Sequence, residues 1–119
     1  MEKSAHRFVE DRNVPWEDMG KGLKRKILAY NRNVMMACVS FEKGAVGAVH
    51  SHPHTQVTYV RQGSFEVVIG SEKSTVHSGD SFVVPSGVKH GVVALEGGCL
   101  IDVFSPMRED FIAGRNQRG

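Results

Sequence analysis

Residues 44–63 read GAVGAVHSHPHTQVTYVRQG. Three histidines and a glutamine fall at alternate positions, His50, His52, His54 and Gln56. In an extended strand alternate side chains share a face, so one short segment can aim several metal-capable groups at one point. Gly44 opens the stretch and Gly63 closes it, as strands bounded by turns require.

On either side of this stretch the chain repeats one pattern of short apolar runs cut by turn residues. Leu23 to Asn31 and Val34 to Glu42 read as strands joined at Asn31-Arg32-Asn33. The run from Val34 to Val39 is nearly all apolar and predicts burial on both faces, with Met35 and Met36 as core filler. Further on, Ser64 to Gly70, Ser74 to His77, Ser81 to Val84, Val88 to Leu95 and Cys99 to Ser105 read as strands, with the polar Ser74–His77 at an edge. Pro85 and Pro106 stop two of them, since proline cannot donate to a ladder. Arg108 to Ile112 predicts one helical turn, and residues 113–119 a frayed tail. Met1 to Gly22 is mixed and polar, and reads as an arm that packs on the domain through Trp16. Many short strands at regular spacing predict an all-β, single-domain sandwich or barrel over residues 1–119.

Composition agrees with this reading and excludes other classes. The chain has 119 residues, 40% of them hydrophobic, which suits one domain with a core of its own. A net charge of +2 without a basic block gives no footprint for nucleic acid. No apolar run is long enough for a membrane span, and the first residues lack the apolar core of a secretory signal, so a cytoplasmic protein is expected. Cys38 and Cys99 sit in apolar strand segments outside any Cys-x-x-Cys pair, and read as two buried free thiols of a reducing compartment.

The spacing of glycines, histidines and proline carries a resemblance. Gly44, five residues, His50-x-His52, three residues, Gln56, six residues, Gly63 resembles the first cupin motif. Gly79, five residues, Pro85-x-Gly87, two residues, His90 resembles the second. The resemblance implies a cupin jelly-roll β-barrel. It also implies one divalent ion inside the barrel (nickel, zinc, manganese or iron), held by His50, His52, Gln56 and His90. Two positions depart from the family pattern: Gln56 stands where a glutamate is usual and Ala94 where the second motif usually ends in asparagine. His54 has the parity to point inward, but Pro53 can bend the strand; it reads as support for the ligands, with direct coordination the alternative. His6 and His77 lie in polar segments and read as solvated.

The donor set has chemical consequences. Three imidazoles and an amide carbonyl carry no charge, so a divalent ion among them keeps its full positive charge. Such an ion favours an anionic substrate or a developing oxyanion. Four protein ligands on an octahedral ion leave two adjacent positions open, which suits a chelating substrate.

The last strand, Leu100-Ile101-Asp102-Val103-Phe104-Ser105, is apolar on both faces except at Asp102. Alternation therefore leaves Asp102 facing either the barrel or water. Facing inward it would be a carboxylate beside a metal, a candidate general acid or base. Arg108 follows, a residue type that grips carboxylates through paired hydrogen bonds.

Taken together, HSHPHTQVTYV, GDSFVVPSGVKHGV, LIDVFSPMREDF and PWEDMGKGLKRKILAY look like the single-domain cupins of pectin and alginate breakdown. Those proteins linearise 4,5-unsaturated monouronates. The resemblance implies that Asp102, Phe104 and Arg108 contribute to catalysis and that Asp102 faces inward. It further implies a small anionic sugar acid as substrate and a homodimer. Two other readings remain at this point, a metal-dependent cupin dioxygenase and a cupin that binds sugar acids without converting them.

Overall fold

The computed structural model describes residues 7–117. Ten strands form two antiparallel sheets. They are β1 (Glu17–Gly20), β2 (Leu23–Asn31), β3 (Val34–Phe41), β4 (Val46–His50), β5 (Thr55–Gln62), β6 (Ser64–Ile69), β7 (Glu72–His77), β8 (Ser81–Val84), β9 (His90–Ala94) and β10 (Gly98–Ser105), followed by helix α1 (Glu109–Gln117). The larger sheet has the order β1-β2-β3-β10-β5-β8 and the smaller one β4-β9-β6-β7. This is the all-β, double-sheet jelly roll expected from the sequence.

The sheets bury their facing sides around two apolar clusters. One gathers Phe41, Val60, Phe65, Val67, Ala94 and Leu100 from both sheets. Phe41 and Phe65 meet edge to face, their ring centres 5.2 Å apart. The other joins Ile27, Met35, Ala37 and Phe104 to Ile112 of α1, so the helix closes over the end of the larger sheet. Ala94, the departure from the second motif, is 1% exposed and serves as core filler.

Several expectations are corrected. The opening stretch is not one strand: β4 ends at His50 in the smaller sheet and β5 starts at Thr55 in the larger one, so His52 and His54 lie in the crossing between them. Pro53 has no N–H to give a ladder, and the chain leaves the sheet there. Val34 and Met36 are exposed, so β3 is not buried on both sides; only Met35 is core filler. The arm contains a short 3₁₀ turn at Asp11–Asn13 and strand β1, which pairs with β2. Trp16 is 43% exposed and lies under the Lys26 amine, 4.7 Å from its ring centre, rather than in the core. The C-terminal helix runs nine residues, longer than one turn. Cys99 is only half-buried. His77 is exposed as expected, while His6 and residues 118–119 lie outside the described residues.

Candidate metal centre

The four expected ligands arrive from three places. His50 ends β4 and His90 begins β9, and the two are direct cross-strand partners. His52 comes from the crossing loop and Gln56 from β5 of the other sheet. Gly44 and Gly63, at the two ends of the stretch, have φ of +84° and +90°, values that favour glycine. Gly63 also sits where an added Cβ would meet the Gly97 carbonyl at 2.8 Å.

One candidate ligand atom from each of His50, His52 and His90 falls within 4.8 Å of the others. The three rings are oriented in the same way. Nδ1 of His50 lies 2.8 Å from the Ala48 carbonyl, Nδ1 of His52 3.0 Å from the His54 carbonyl, and Nδ1 of His90 2.9 Å from the Val88 carbonyl. A carbonyl only accepts, so each Nδ1 carries the proton and each Nε2 keeps a free lone pair. Burial, the largest cause, holds His52 and His90 below the usual histidine range, which keeps both rings neutral. His54 is outside this cluster and supports it through its main-chain carbonyl.

Two observations test whether a cation fits. Nε2 of His90 is buried without a hydrogen-bond partner among the described residues. Nε2 of His52 faces Oε1 of Gln56 at 3.1 Å, two acceptors with no proton to share. Buried acceptors left in this way are costly, and a shared cation removes the cost. The donor set of imidazole and carbonyl suits a first-row divalent ion.

Gln56 also has a second task. Its amide Nε2 donates to Thr58 Oγ1 at 2.9 Å and to Asp102 Oδ1 at 3.3 Å, while the Thr58 hydroxyl donates to the same Asp102 oxygen at 2.7 Å. A glutamate at position 56 would set a second carboxylate against Asp102. The unusual amide is therefore the residue that allows a candidate ligand and a part-buried acid to touch.

Asp102 faces inward, as do Leu100 and Phe104, while Ile101 and Val103 take the outer face of the sheet. Burial pushes its carboxyl up to about 6, against the opposing pull of the Thr58 hydroxyl and the Arg108 charge. Phe104 is buried, with its ring edge-on to His52 and 5.7 Å away. The Arg108 guanidinium lies over Phe104 and Phe111, 5.0 and 4.3 Å from their ring centres. Its Nε and Nη2 are engaged by the Asp110 carboxylate at 3.0 and 2.8 Å. That fork is occupied, which the sequence did not foresee, and the Nη1 edge is what remains for a further anion.

His50, Gln56, His90, Asp102, Phe104 and Arg108 line one cavity of about 210 Å³. Arg25 of β2 also reaches it, paired with Glu17 at 3.1 Å and stacked 3.9 Å above Phe111. Sequence reasoning missed Arg25, because a basic residue in a polar strand gives no sign of facing inward until the β2–β3 register is known. Among the described residues Asp102 is the one carboxylate lining the cavity. Its volume falls below the range of about 300–1,000 Å³ typical of drug-sized sites, and suits one small ring rather than a polymer.

A double-sheet barrel with a histidine cluster and a part-buried acid in its cavity defines the class. The chain belongs to the cupin family: the Cupin domain model matches residues 37–104. It is 49% identical over 108 residues to the pectin degradation protein KdgF of Dickeya dadantii, covering 89% of this chain and 98% of that protein. Among solved structures, KdgF from Halomonas sp. shares 44% identity, with a TM-score of 0.84, covering 87% of this chain and 98% of the other. An RmlC-like cupin from Shewanella frigidimarina shares 46%, with a TM-score of 0.87, covering 90% and 96%. No helix among the described residues is long and apolar enough to cross a membrane.

Proposed function

We propose that this chain acts in pectin or alginate breakdown as an enzyme that linearises 4,5-unsaturated monouronates. The observation that carries the reading is Asp102, a lone cavity carboxylate tied to a metal-ligand amide and sharing the cavity with Arg108. The likeness to a pectin degradation protein supports that substrate class.

A divalent ion held by His50, His52, Gln56 and His90 (nickel, zinc, manganese or iron) would supply Lewis-acid stabilisation to negative charge on substrate oxygen. The other roles fall to the chain itself. Arg108 takes the substrate carboxylate on the guanidinium edge left free by Asp110. Phe104 and the apolar lining hold the ring and exclude water. Ring opening at C1 releases an aldehyde and leaves an enol at C5. Asp102 then transfers the proton that makes C4 saturated and C5 a ketone.

The product is a linear keto-uronate, and neither oxygen nor a redox change enters the balance. The test is incubation with unsaturated galacturonate under nitrogen, following the conjugated absorbance. Loss of absorbance at catalytic protein concentration is the expected result. A requirement for oxygen would point to a dioxygenase, and stoichiometric binding without loss to a sugar-acid-binding cupin.

The homodimer is part of the same proposal. On the outer face of the larger sheet, Met36, Val103, Val57 and Val83 line up as cross-strand neighbours. Met36, Val57 and Val83 are exposed, as is Tyr59 beside them. A contiguous apolar stripe of this kind marks an interaction surface, and a second copy would cover it. The free thiols suit a cytoplasmic setting.

A further inference from the structure

Cys38 and Cys99 take no part in the chemistry above. They lie on the outer face of the larger sheet, on neighbouring strands β3 and β10, and belong to neither apolar cluster. Cys38 pairs with Ile101 and Cys99 with Ser40, so the two thiols are diagonal neighbours on one face. Their sulfurs are 2.6 Å apart, within about 0.6 Å of a disulfide bond length.

The surroundings suit a reactive pair rather than inert filler. Cys99 is half-buried and lines an open recess of about 360 Å³ together with Trp16, Arg61, Gln62, Gly97 and Gly98. The register shift between Cys99 and Leu100 leaves Arg61 of β5 beside the thiols. Asp11 and Lys26 approach Cys38 from the arm and from β2, and they are paired with each other at 3.1 Å.

We propose that Cys38 and Cys99 form a dithiol–disulfide site that reacts with hydrogen peroxide, separate from the histidine cluster. In the reduced pair one thiol donates to the other. The Cys99 S–H, first among the causes, draws Cys38 down to about 7, aided by the Arg61 charge and opposed by burial; the same hydrogen bond pushes Cys99 up. The pair thus parts with one proton near neutrality and shares the other.

Cys38 is 2% exposed, so the shared proton passes to it and the half-buried Cys99 sulfur, which lines the recess, attacks one oxygen of the peroxide. An S–O bond forms, the O–O bond breaks and hydroxide leaves. The neighbouring thiol then attacks that sulfur, forming the S–S bond and expelling the oxygen, which leaves as water with the thiol's own proton. Two electrons pass from the sulfurs to the peroxide, and a small dithiol reductant restores the pair. Because the second thiol is already in contact, the sulfenic acid is trapped before further oxidation.

The test treats the reduced full-length chain with hydrogen peroxide and follows intact mass, free-thiol count and linked peptides. The expected result is loss of both thiols and of two hydrogen masses, about 2 Da, with a Cys38–Cys99 link inside one chain that dithiothreitol reverses. Cys38→Ser and Cys99→Ser should instead gain oxygen, about 16 Da per step, with no intrachain link. The link should form at least about tenfold faster in the folded chain than in urea, where contact between the thiols is lost. Oxygen addition to the wild-type thiols without a link, retention of both thiols, or links only between chains would each overturn the proposal. Every readout is covalent, so the result stands apart from any activity at the histidine cluster.

Discussion

The two faces of the larger sheet invert the usual rule. Its inner face carries Gln56, Thr58 and Asp102 beside Phe104, and Thr58 is fully buried. Its outer face carries Val57, Tyr59 and Val83 in the open. A sheet that existed only to fold would place these the other way round, because burying polar groups costs free energy and exposing apolar ones forfeits it. The inner polar residues are tolerated because they satisfy one another: two donors converge on Asp102, and the amide that supplies one of them also presents its oxygen to His52. In the proposed function the inner face serves the chemistry and the outer face a second copy, with β5 and β10 contributing to both.

That contrast can be broken most severely from the inside. A His50→Ala/His90→Ala double variant removes two imidazoles from the cluster, so purified protein should carry no divalent ion and show background turnover only. Elemental analysis beside the uronate assay checks this, and full metal content in the double variant would refute the ligand assignment. A smaller loss is expected at the cavity wall. Arg108→Lys keeps the charge but loses the planar fork, so KM for unsaturated uronate should rise about tenfold, the scale of one charge-assisted hydrogen bond. The rise should vanish for an analogue lacking the carboxylate.

Gln56→Glu sharpens the comparison without emptying the site. The metal should be retained or held more tightly, while turnover falls several-fold, because a carboxylate near Asp102 repels both that acid and the anionic substrate. Steady-state kinetics with metal content measured in parallel decides it, and faster turnover would contradict the role given to the amide. The outer face should respond in the opposite sense. Val83→Arg places a charge in the exposed stripe and should convert a dimer to a monomer by light scattering, with turnover per chain unchanged. A wild-type monomer, or a variant that stays dimeric, would remove the stripe as the interface.

Much of this arrangement was readable from the chain, and the rest depended on register. The glycine, histidine and proline spacing located His50, His52, Gln56 and His90, yet the physical reason first attached to it was wrong. His50, His52 and Gln56 do not share a strand face; they meet His90 of β9 because the end of β4, the loop at Pro53 and the start of β5 converge where the two sheets come together. The side of Asp102 was unreadable from alternation, since β10 is apolar on both faces, one lining the barrel and one forming the exposed stripe. Strand β1 has no apolar alternation and is held by pairing such as Glu17 with Arg25, a contact no local pattern announces. The meeting of Cys38 with Cys99, 61 positions apart, likewise needs the β3–β10 register.

The central claim is that Asp102 moves a proton in a cavity shared with the histidine cluster, and Asp102→Asn tests it most directly. Asparagine keeps the shape and can still accept from Thr58 and Gln56, so metal content and Tm should stay near wild type. Loss of unsaturated uronate by the metal-loaded variant under nitrogen should be slower by roughly a hundredfold or more, the usual scale of general acid–base catalysis. Turnover within about twofold of wild type, at equal metal content, would contradict the account.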